Sequence, residues 1–385
     1  MENLFFTDNV HAAKKKVMSF LQKELEPIKN DINRANKIPI AILKKMGKEG
    51  LFGPLIPQKY RGTELGIIAH CMITEEISKI NVAVSVSRTP CILMGYLLNK
   101  FSKEQQKEKY LKQVATGDKI CSICVTEEMA GSNVADIKTT AEKKGNSYLL
   151  NGSKKFITNA GLSDYYFIWA ISNQNVNPRG GMSVFLVEKD IPGLRIENPY
   201  NLMGINGIYN GNLELKNVEI PEENLIGMEG NGFNDLMDVF NIERLTLSSE
   251  CNGIALAALE ESKNYAKKRF QFNKPIASFQ IIKLKIAEMA TKLQAARLLT
   301  YSAAKLSEIN VNFTKEASMA KAYSSKTALE ITSEAVQIHG GNGYTDNYPV
   351  ERYMRDAKFF MIGGGTTEIQ NLIIAREELK NSLKK

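Results

Sequence analysis

The stretch Ile120-Cys121-Ser122-Ile123-Cys124-Val125-Thr126-Glu127-Glu128-Met129-Ala130-Gly131-Ser132 marks the point where the chain changes its period. Before it, across 10–117, apolar residues recur at three and four spacings. Loop punctuation falls at Gly50, Gly53-Pro54, Ile56-Pro57 and Arg61-Gly62. From 118 onward short runs rich in β-branched and aromatic residues take over, at 120–125, 148–150, 155–158, 166–172, 182–187 and 212–220. Turn signals stand between them at Asn151-Gly152, Arg179-Gly180-Gly181, Pro192-Gly193 and Asn210-Gly211. After Gly232 the helical period returns and holds nearly to the end. There Ile282, Ile286, Met289 and Leu293 draw one apolar stripe of a bundle helix. The predicted fold is therefore α+β in three parts. An N-terminal α-helical domain spans 1–117, a middle antiparallel β domain 118–228, and a C-terminal four-helix bundle 229–385. Residual apolar stripes on such bundles are often buried in an oligomer.

Composition narrows the function. The chain has 385 residues, 43% of them hydrophobic, enough for more than one core. No window reaches the length of a membrane span, and the N-terminus lacks the basic-then-apolar order of a signal peptide, so a soluble, cytoplasmic protein with no membrane partner is expected. Fifty Lys and Arg against 42 Asp and Glu give a charge of +8, scattered among acidic residues and densest at Lys14, Lys15 and Lys16. A solvated helix face explains that pattern, as does attraction to an anionic partner. Nucleic acid is not expected, because no basic stretch interleaves with aromatics. Five dispersed cysteines fit a reducing compartment. Cys121 and Cys124 form a CxxC, but in an apolar β run with only three histidines in the chain they read as core residues, and no metal site is expected.

Two small motifs suggest ligand contact. Residues 125–132 follow a strand and end in small, hydroxylated side chains, which let backbone N–H groups approach a flat ring or a phosphate. Phe156-Ile157-Thr158-Asn159 closes another strand with an aromatic and a hydroxyl. Each is equally at home as a packed strand end. Together with Asn151-Gly152-Ser153-Lys154-Lys155, Arg269-Phe270-Gln271-Phe272-Asn273-Lys274-Pro275-Ile276, Phe279-Gln280, Gln337-Ile338-His339-Gly340-Gly341-Asn342-Gly343-Tyr344, Arg355-Asp356-Ala357-Lys358 and Gly365-Thr366-Thr367-Glu368, they make the chain resemble the acyl-CoA dehydrogenase family over essentially its whole length.

The resemblance implies an FAD enzyme, assembled as a homotetramer, that removes two hydrogens from the carbons beside an acyl thioester. It places Val125, Thr126, Ala130, Gly131, Ser132, Phe156, Ile157 and Thr158 around the flavin ring, with Phe156 where the family usually has Trp. Arg269, Gln271 and Phe272 would meet the pyrophosphate and adenosine half. Phe279, Gln280, Gln337, Gly340 and Gly341 belong to the same group, with Gln280 and 337–341 serving the FAD of a neighbouring subunit. Thr366 and Glu368 complete the cofactor contacts. Asn273 stands where the family has Gly and still tolerates a left-handed backbone. Ser132, Arg244, Gly364 and Gly365 would line the substrate.

The base departs from the common pattern. Most members carry a Glu in the loop where this chain reads Gly363-Gly364-Gly365, and Gly364 holds that position. A replacement lies in the helix after Gly232. Leu236, Phe240, Leu247, Cys251 and Ile254 form one apolar stripe, and Glu243 falls within it. A carboxylate facing inward is costly unless paired or functional, and burial moves its pKa toward what a general base needs. A structural ion pair with Arg244 is the alternative. The family's isovaleryl-CoA branch carries its base on this helix in a Glu-Arg pair, and Glu243-Arg244 looks like it. The resemblance then implies α-proton removal by Glu243 with hydride transfer to flavin N5, and a donor to the developing enolate at Gly364 N–H. Electrons would pass to an electron-transferring flavoprotein or to oxygen.

Three glycines at 363–365 suit a short, branched or cyclic acyl group. A related branch acts on prolyl groups tethered to carrier proteins. Asn241, Asn206, Glu128-Met129 and Tyr60-Arg61-Gly62 depart from the usual CoA pattern and keep that branch open. A flavin-binding member without catalysis is the reading of a different class.

Overall fold

The computed structural model describes residues 2–309 and 311–382. Helices α1 (Asp8–Phe20), α2 (Gly66–Ile80) and α3 (Val82–Phe101) dominate the first region. Thr7 caps α1, and Asn81 ends α2 in an extended conformation while its Oδ1 accepts the Val84 N–H at 3.2 Å to start α3. Both α2 and α3 are buried almost all round, as interior helices are.

The middle region is one sheet of eight strands: β1 (Cys121–Cys124), β2 (Thr140–Lys144), β3 (Ser147–Thr158), β4 (Tyr165–Ile171), β5 (Met182–Glu188), β6 (Leu194–Ile196), β7 (Asn210–Pro221) and β8 (Leu225–Ile226). Its order is β6-β7-β3-β2-β4-β5-β8, with β1 laid against β4. The expected antiparallel domain is corrected to a mixed one. β1 pairs with β4 in parallel, and so does β2 at Thr140 and Ile171. The chain between β1 and β4 contains the whole β2–β3 hairpin, long enough for a crossover that no tight turn could make.

Two expected turns are also corrected. Asn151-Gly152 lies inside β3 at a shift of register, and Asn210-Gly211 opens β7. Gly152 is required for close approach, since a Cβ there would meet Thr139 Oγ1 at 2.5 Å. The hairpin actually turns at Gly145-Asn146, where Gly145 has φ +60.

The third region holds α4 (Gly232–Lys268), α5 (Gln280–Glu308), α6 (Thr314–His339), α7 (Val350–Phe359) and α8 (Thr367–Ser382). Met289 and Leu293 of the expected α5 stripe are buried, while Ile282 and Ile286 pack partly. One apolar core runs through both helical regions and one face of the sheet. A second, smaller core covers the other face around Tyr148, Tyr166, Ile168 and Phe185.

Helix α4 joins everything. Trp169 Nε1 in β4 donates to Gly232 O at 3.0 Å, pinning its start to the sheet. Midway, a Cβ built on Gly253 would lie 2.4 Å from Glu75 O and 2.7 Å from Ser78 Cβ, so α4 meets α2 backbone to backbone. Gly253→Ala raises intrinsic helix propensity by about 1 kcal/mol. Overpacking at a backbone contact costs about 1–3 kcal/mol, which outweighs that gain. A lower urea midpoint for Gly253→Ala is the expected result; a midpoint at or above that of the parent would contradict the contact.

Candidate active site

Glu243 sits in the first third of α4, half-buried, between the buried Leu236 and Leu247. Among the described residues no hydrogen bond or ion pair engages its carboxylate. Burial pushes its pKa up to about 7, against the opposing charges of Arg244 and Lys321. The ion-pair alternative thus finds no bond between Glu243 and Arg244. The guanidinium turns instead to Asn241, whose Nδ2 donates to Thr314 Oγ1 at 3.1 Å. Arg244 is itself buried, with Nε left without a partner, and burial lowers its pKa to about 10.

The glycine turn closes over this carboxylate. Gly364 and Gly365 have φ of +62° and +82°, left-handed values that favour glycine. A Cβ on Gly364 would come within 2.1 Å of Leu247 Cδ1 and 3.5 Å of Glu243 Cδ. The space a loop carboxylate would need is therefore taken by α4 side chains. Gln370 Nε2 donates to the carbonyls of Gly364 and Gly365 at 3.3 and 3.1 Å, and Lys321 Nζ donates to Gly365 O at 2.6 Å. Neither Lys321 nor Gln370 was singled out in the sequence. The signal for Lys321 was available: it falls between buried Ala317 and Ser325 at four-residue spacing, as Glu243 falls in its own stripe.

The expected flavin loop is a tight turn in which Glu127 and Ala130 exchange backbone hydrogen bonds. Val125 and Ala130 are buried, Thr126 half-buried, and Gly131 and Ser132 exposed. The loop is tied to β3 by Lys155 N–H to Thr126 O at 2.8 Å, and it rests on a buried pair the sequence reading missed. Lys154 Nζ donates to Glu127 Oε1 at 2.7 Å and to Val125 O at 3.1 Å, while Thr139 and the Lys138 N–H donate to the same carboxylate. Burial alone would raise the Glu127 pKa; the Lys154 charge and these donors hold it below the usual carboxylate value. Between Lys154 and Ile157 the strand bulges, and Phe156 takes φ +57°, is 58% exposed and lays its ring beside Tyr200. A left-handed aromatic is strained, and strain of this kind concentrates at functional sites. Asn210 Nδ2 holds the Phe156 carbonyl at 3.0 Å. Ile157 is buried, Thr158 half-buried, and Ser122 Oγ donates to the Thr158 carbonyl.

Thr366 accepts the Ile369 N–H at 3.3 Å and so caps α8, with Glu368 exposed beside it. The remaining expected contacts gather at the far end of the bundle. Phe270–Gln271 and Lys274–Pro275 form a two-stranded ribbon whose tip is Phe272 and Asn273, both left-handed. Arg269, Gln271, Phe272, Gln280, Gln337, Gly340 and Gly341 are exposed, Phe279 half-buried. Tyr265, unmarked in the sequence, joins ribbon and turn. Its carbonyl accepts the Arg269 N–H, its ring stacks on His339 at 4.1 Å, and its hydroxyl donates to His339 O. No hydrogen bond, ion pair or ring contact links this patch to 125–132 or 156–158 among the described residues.

These residues fit a dinucleotide with a flat ring. A Cβ on Gly131, Gly340 or Gly341 would meet no atom within 4 Å, so the backbone is open to close approach. The Cys121–Cys124 run is different: all five cysteines are buried, and burial raises the thiols of Cys71, Cys121, Cys124 and Cys251. Among the described residues no cluster of three or more His, Cys, Asp or Glu is arranged to hold a metal, and no helix is long and apolar enough to cross a membrane.

A helical, sheet and helical body with such a cradle defines a flavin-dependent oxidoreductase. The N-terminal, middle and C-terminal domains of acyl-CoA dehydrogenase match residues 7–118, 122–218 and 230–379, and the chain belongs to that family, FAD oxidoreductases acting on the CH–CH group of donors. It is 42% identical to an acyl-CoA dehydrogenase of Bacillus subtilis, covering 94% of this chain and 96% of the relative. It is 39% identical to subunit CarC of the caffeyl-CoA reductase-Etf complex of Acetobacterium woodii, covering 98% and 100%. Butyryl-CoA dehydrogenase from Megasphaera elsdenii superposes with a TM-score of 0.95 at 33% identity over 97% of this chain and 99% of that one. The prolyl acyl carrier protein oxidase AnaB does so with 0.92 at 32% identity over 96% and 99%.

Removing one partner of a buried ion pair costs about 3–5 kcal/mol. Lys154→Met is therefore expected to lower the urea midpoint and, by freeing the 125–132 turn, to reduce the FAD retained on purification. Full retention of FAD by a folded Lys154→Met protein would show that the pair does not support the turn.

Proposed function

We propose that the chain catalyses α,β-dehydrogenation of a short, branched or cyclic acyl thioester, with Glu243 as the base. The observation that carries this is the unpaired, half-buried carboxylate of Glu243 beside the side-chain-free turn at Gly364. FAD, held by 125–132 and 156–158, supplies the acceptor for the β-hydrogen when bound. Glu243 takes the α-proton. Its raised pKa brings its proton affinity closer to that of the weak carbon acid than an ordinary carboxylate's would be. The Gly364 N–H, free of a side chain, donates to the thioester oxygen as negative charge develops there, a contribution of about 3–4 kcal/mol for a donor of this type. Leu236 and Leu247 keep water from the base, and Arg244 and Ser132 hold the polar part of the substrate. The expected widening of the pocket by the three glycines is corrected: the places their side chains would take are filled by Phe359 at Gly363, Leu247 at Gly364 and Gln370 at Gly365, so Gly365 lines the turn without enlarging it. Arg269, Gln271 and Phe272 hold the cofactor's pyrophosphate and adenosine half, and Thr366 and Glu368 add further cofactor contacts. Phe279, Gln280, Gln337, Gly340 and Gly341 belong with them, completed across a homotetramer.

The division at 117/118 and 228/229, a cytoplasmic setting, and electron delivery to an electron-transferring flavoprotein or to oxygen belong to the same proposal. A relative named as part of an Etf complex supports the first acceptor. A second reading, a prolyl or aminoacyl group tethered to a carrier protein, is favoured by the likeness to a prolyl carrier-protein oxidase. In keeping with it, Asn206, which stands where family members usually have Arg, accepts from Arg355.

Anaerobic bleaching of the yellow protein with isovaleryl-, isobutyryl-, butyryl- and longer acyl-CoAs, and with prolyl carrier protein, separates the two; bleaching by none would favour the non-catalytic reading. Glu243→Gln is expected to keep its FAD and to bleach about 10²–10⁴-fold more slowly. A near-parental rate would remove Glu243 from the role. In the parent, the bleaching rate should rise with pH through about 7 as Glu243 ionises. Stability runs the other way. A carboxyl whose folded pKa is raised favours the fold fully below its unfolded pKa, and that contribution is lost as pH rises through about 7. Glu243→Gln should therefore gain Tm relative to the parent at pH 8 but not at pH 4.

A further inference from the structure

Lys321 is 1% exposed, on a helix, α6, whose small residues Ala317, Ser318, Ala320, Ser324 and Ser325 are buried as well. Its ammonium makes one hydrogen bond, to Gly365 O at 2.6 Å, and no carboxylate lies within ion-pair distance among the described residues. A buried ammonium without a counter-ion is costly, and burial lowers its pKa to about 8 against the attraction of Cys251 and Glu243. A Lys paying that cost holds something in return. It touches the glycine turn at Gly365, and the neighbouring Gly364 lies against Glu243, whose Cδ is 3.5 Å from where a Gly364 Cβ would stand, so the ammonium and the carboxylate sit on either side of one turn.

We propose that Lys321 is a positioning residue for the dehydrogenation: it clamps the 363–365 turn through the Gly365 carbonyl and sets one positive charge opposite Glu243. The inference rests on Glu243 being the base. The charged groups around Glu243 are few. Arg244 and Glu250 come from its own helix and Lys321 from α6. The glycine turn brings none. From α8, Glu368 faces Lys321 and Arg376 faces Arg244; Arg88 of α3 faces Glu250. Glu250 is held by the hydroxyls of Ser85 and Thr89, and burial keeps its pKa near 8, so it adds little charge near neutrality. Arg244 is turned toward Asn241. Lys321 is thus the cation that both touches the turn and faces the base.

The two roles separate by substitution in the FAD-loaded enzyme. Lys321→Gln keeps a donor for the Gly365 carbonyl and loses the charge; Lys321→Met loses both; Lys321→Arg keeps the charge. Loss of an opposing charge nearby should raise the midpoint of the bleaching-pH profile by about one unit in the Gln and Met variants, about tenfold less ionised base at a given pH. The Arg variant should stay with the parent. At pH above the midpoint, Lys321→Gln should bleach at the parental rate and Lys321→Met several-fold more slowly. A second readout needs neither flavin reduction nor substrate. The pH at which the Tm gain of Glu243→Gln over its own background levels off, set by the folded-state pKa of Glu243, should move upward by the same unit when Lys321 is Gln. Unchanged midpoints in folded Lys321→Gln, by bleaching and by Tm, would overturn the charge role. A Met variant equal to Gln at high pH would overturn the clamp. Should Lys321→Met not fold, Lys321→Gln and Lys321→Arg decide the charge role by the same two readouts. The clamp is then judged by FAD-loaded Lys321→Arg and Lys321→Gln rates at high pH, which must both match the parent for it to stand. Failure of the base assignment shows separately, as an unimpaired Glu243→Gln.

Discussion

A stretch of bare backbone has to lie against a helix that carries an unpaired carboxylate, and the rest of the molecule is arranged around that contact. Gly364 has no room for a side chain, because Leu247 occupies the volume where its Cβ would project. The contact holds only if α4 is fixed in position and rotation. Gly253 against α2, Trp169 on Gly232 and the packing of α5 and α6 fix it from three directions. A rotation of α4 would carry Glu243 and Leu247 away together, since both sit on the helix face that meets the turn. The low-dielectric surroundings that hold Glu243 near neutrality are the same apolar side chains that lock the helix.

Much of this was legible in the sequence, and the reasons differ by element. The three regions showed because period 3.6 and period 2 leave distinct spacings. Glu243 showed because a charged residue in an apolar stripe breaks its own pattern. The parallel pairing of β1 with β4 did not show, since it depends on where the chain returns after the β2–β3 hairpin. Asn151-Gly152 misled because glycine marks either a turn or a close approach, and here Thr139 made it the latter. Glu127 and Lys154 lie far apart in sequence, and nothing local says that they meet. Lys321 hid on a helix of small residues, where a Lys ordinarily reads as a solvated side chain.

The buried charges around α4 follow one logic. Glu250, fully buried seven residues beyond Glu243, accepts hydroxyls on one oxygen and leaves the other unpartnered. Burial holds it mostly protonated near neutrality, so it does not add a second negative charge beneath Glu243. Arg88, buried nearby, binds Leu51 O and Thr74 Oγ1, and His70 bonds Thr246 on α4. The bonds of Ser85 and Thr89 to Glu250 and of His70 to Thr246 tie the N-terminal helices to α4 with directional links where apolar packing alone would permit sliding, while Arg88 braces the N-terminal region internally.

The cysteines have a practical side. All five are buried, and four have thiols driven toward the protonated form, whereas alkylation and disulfide exchange need an accessible thiolate. The folded protein is thus a silent background for thiol chemistry. A single cysteine placed on the surface would take a fluorophore or spin label alone, and reaction of the native five would report opening of the fold.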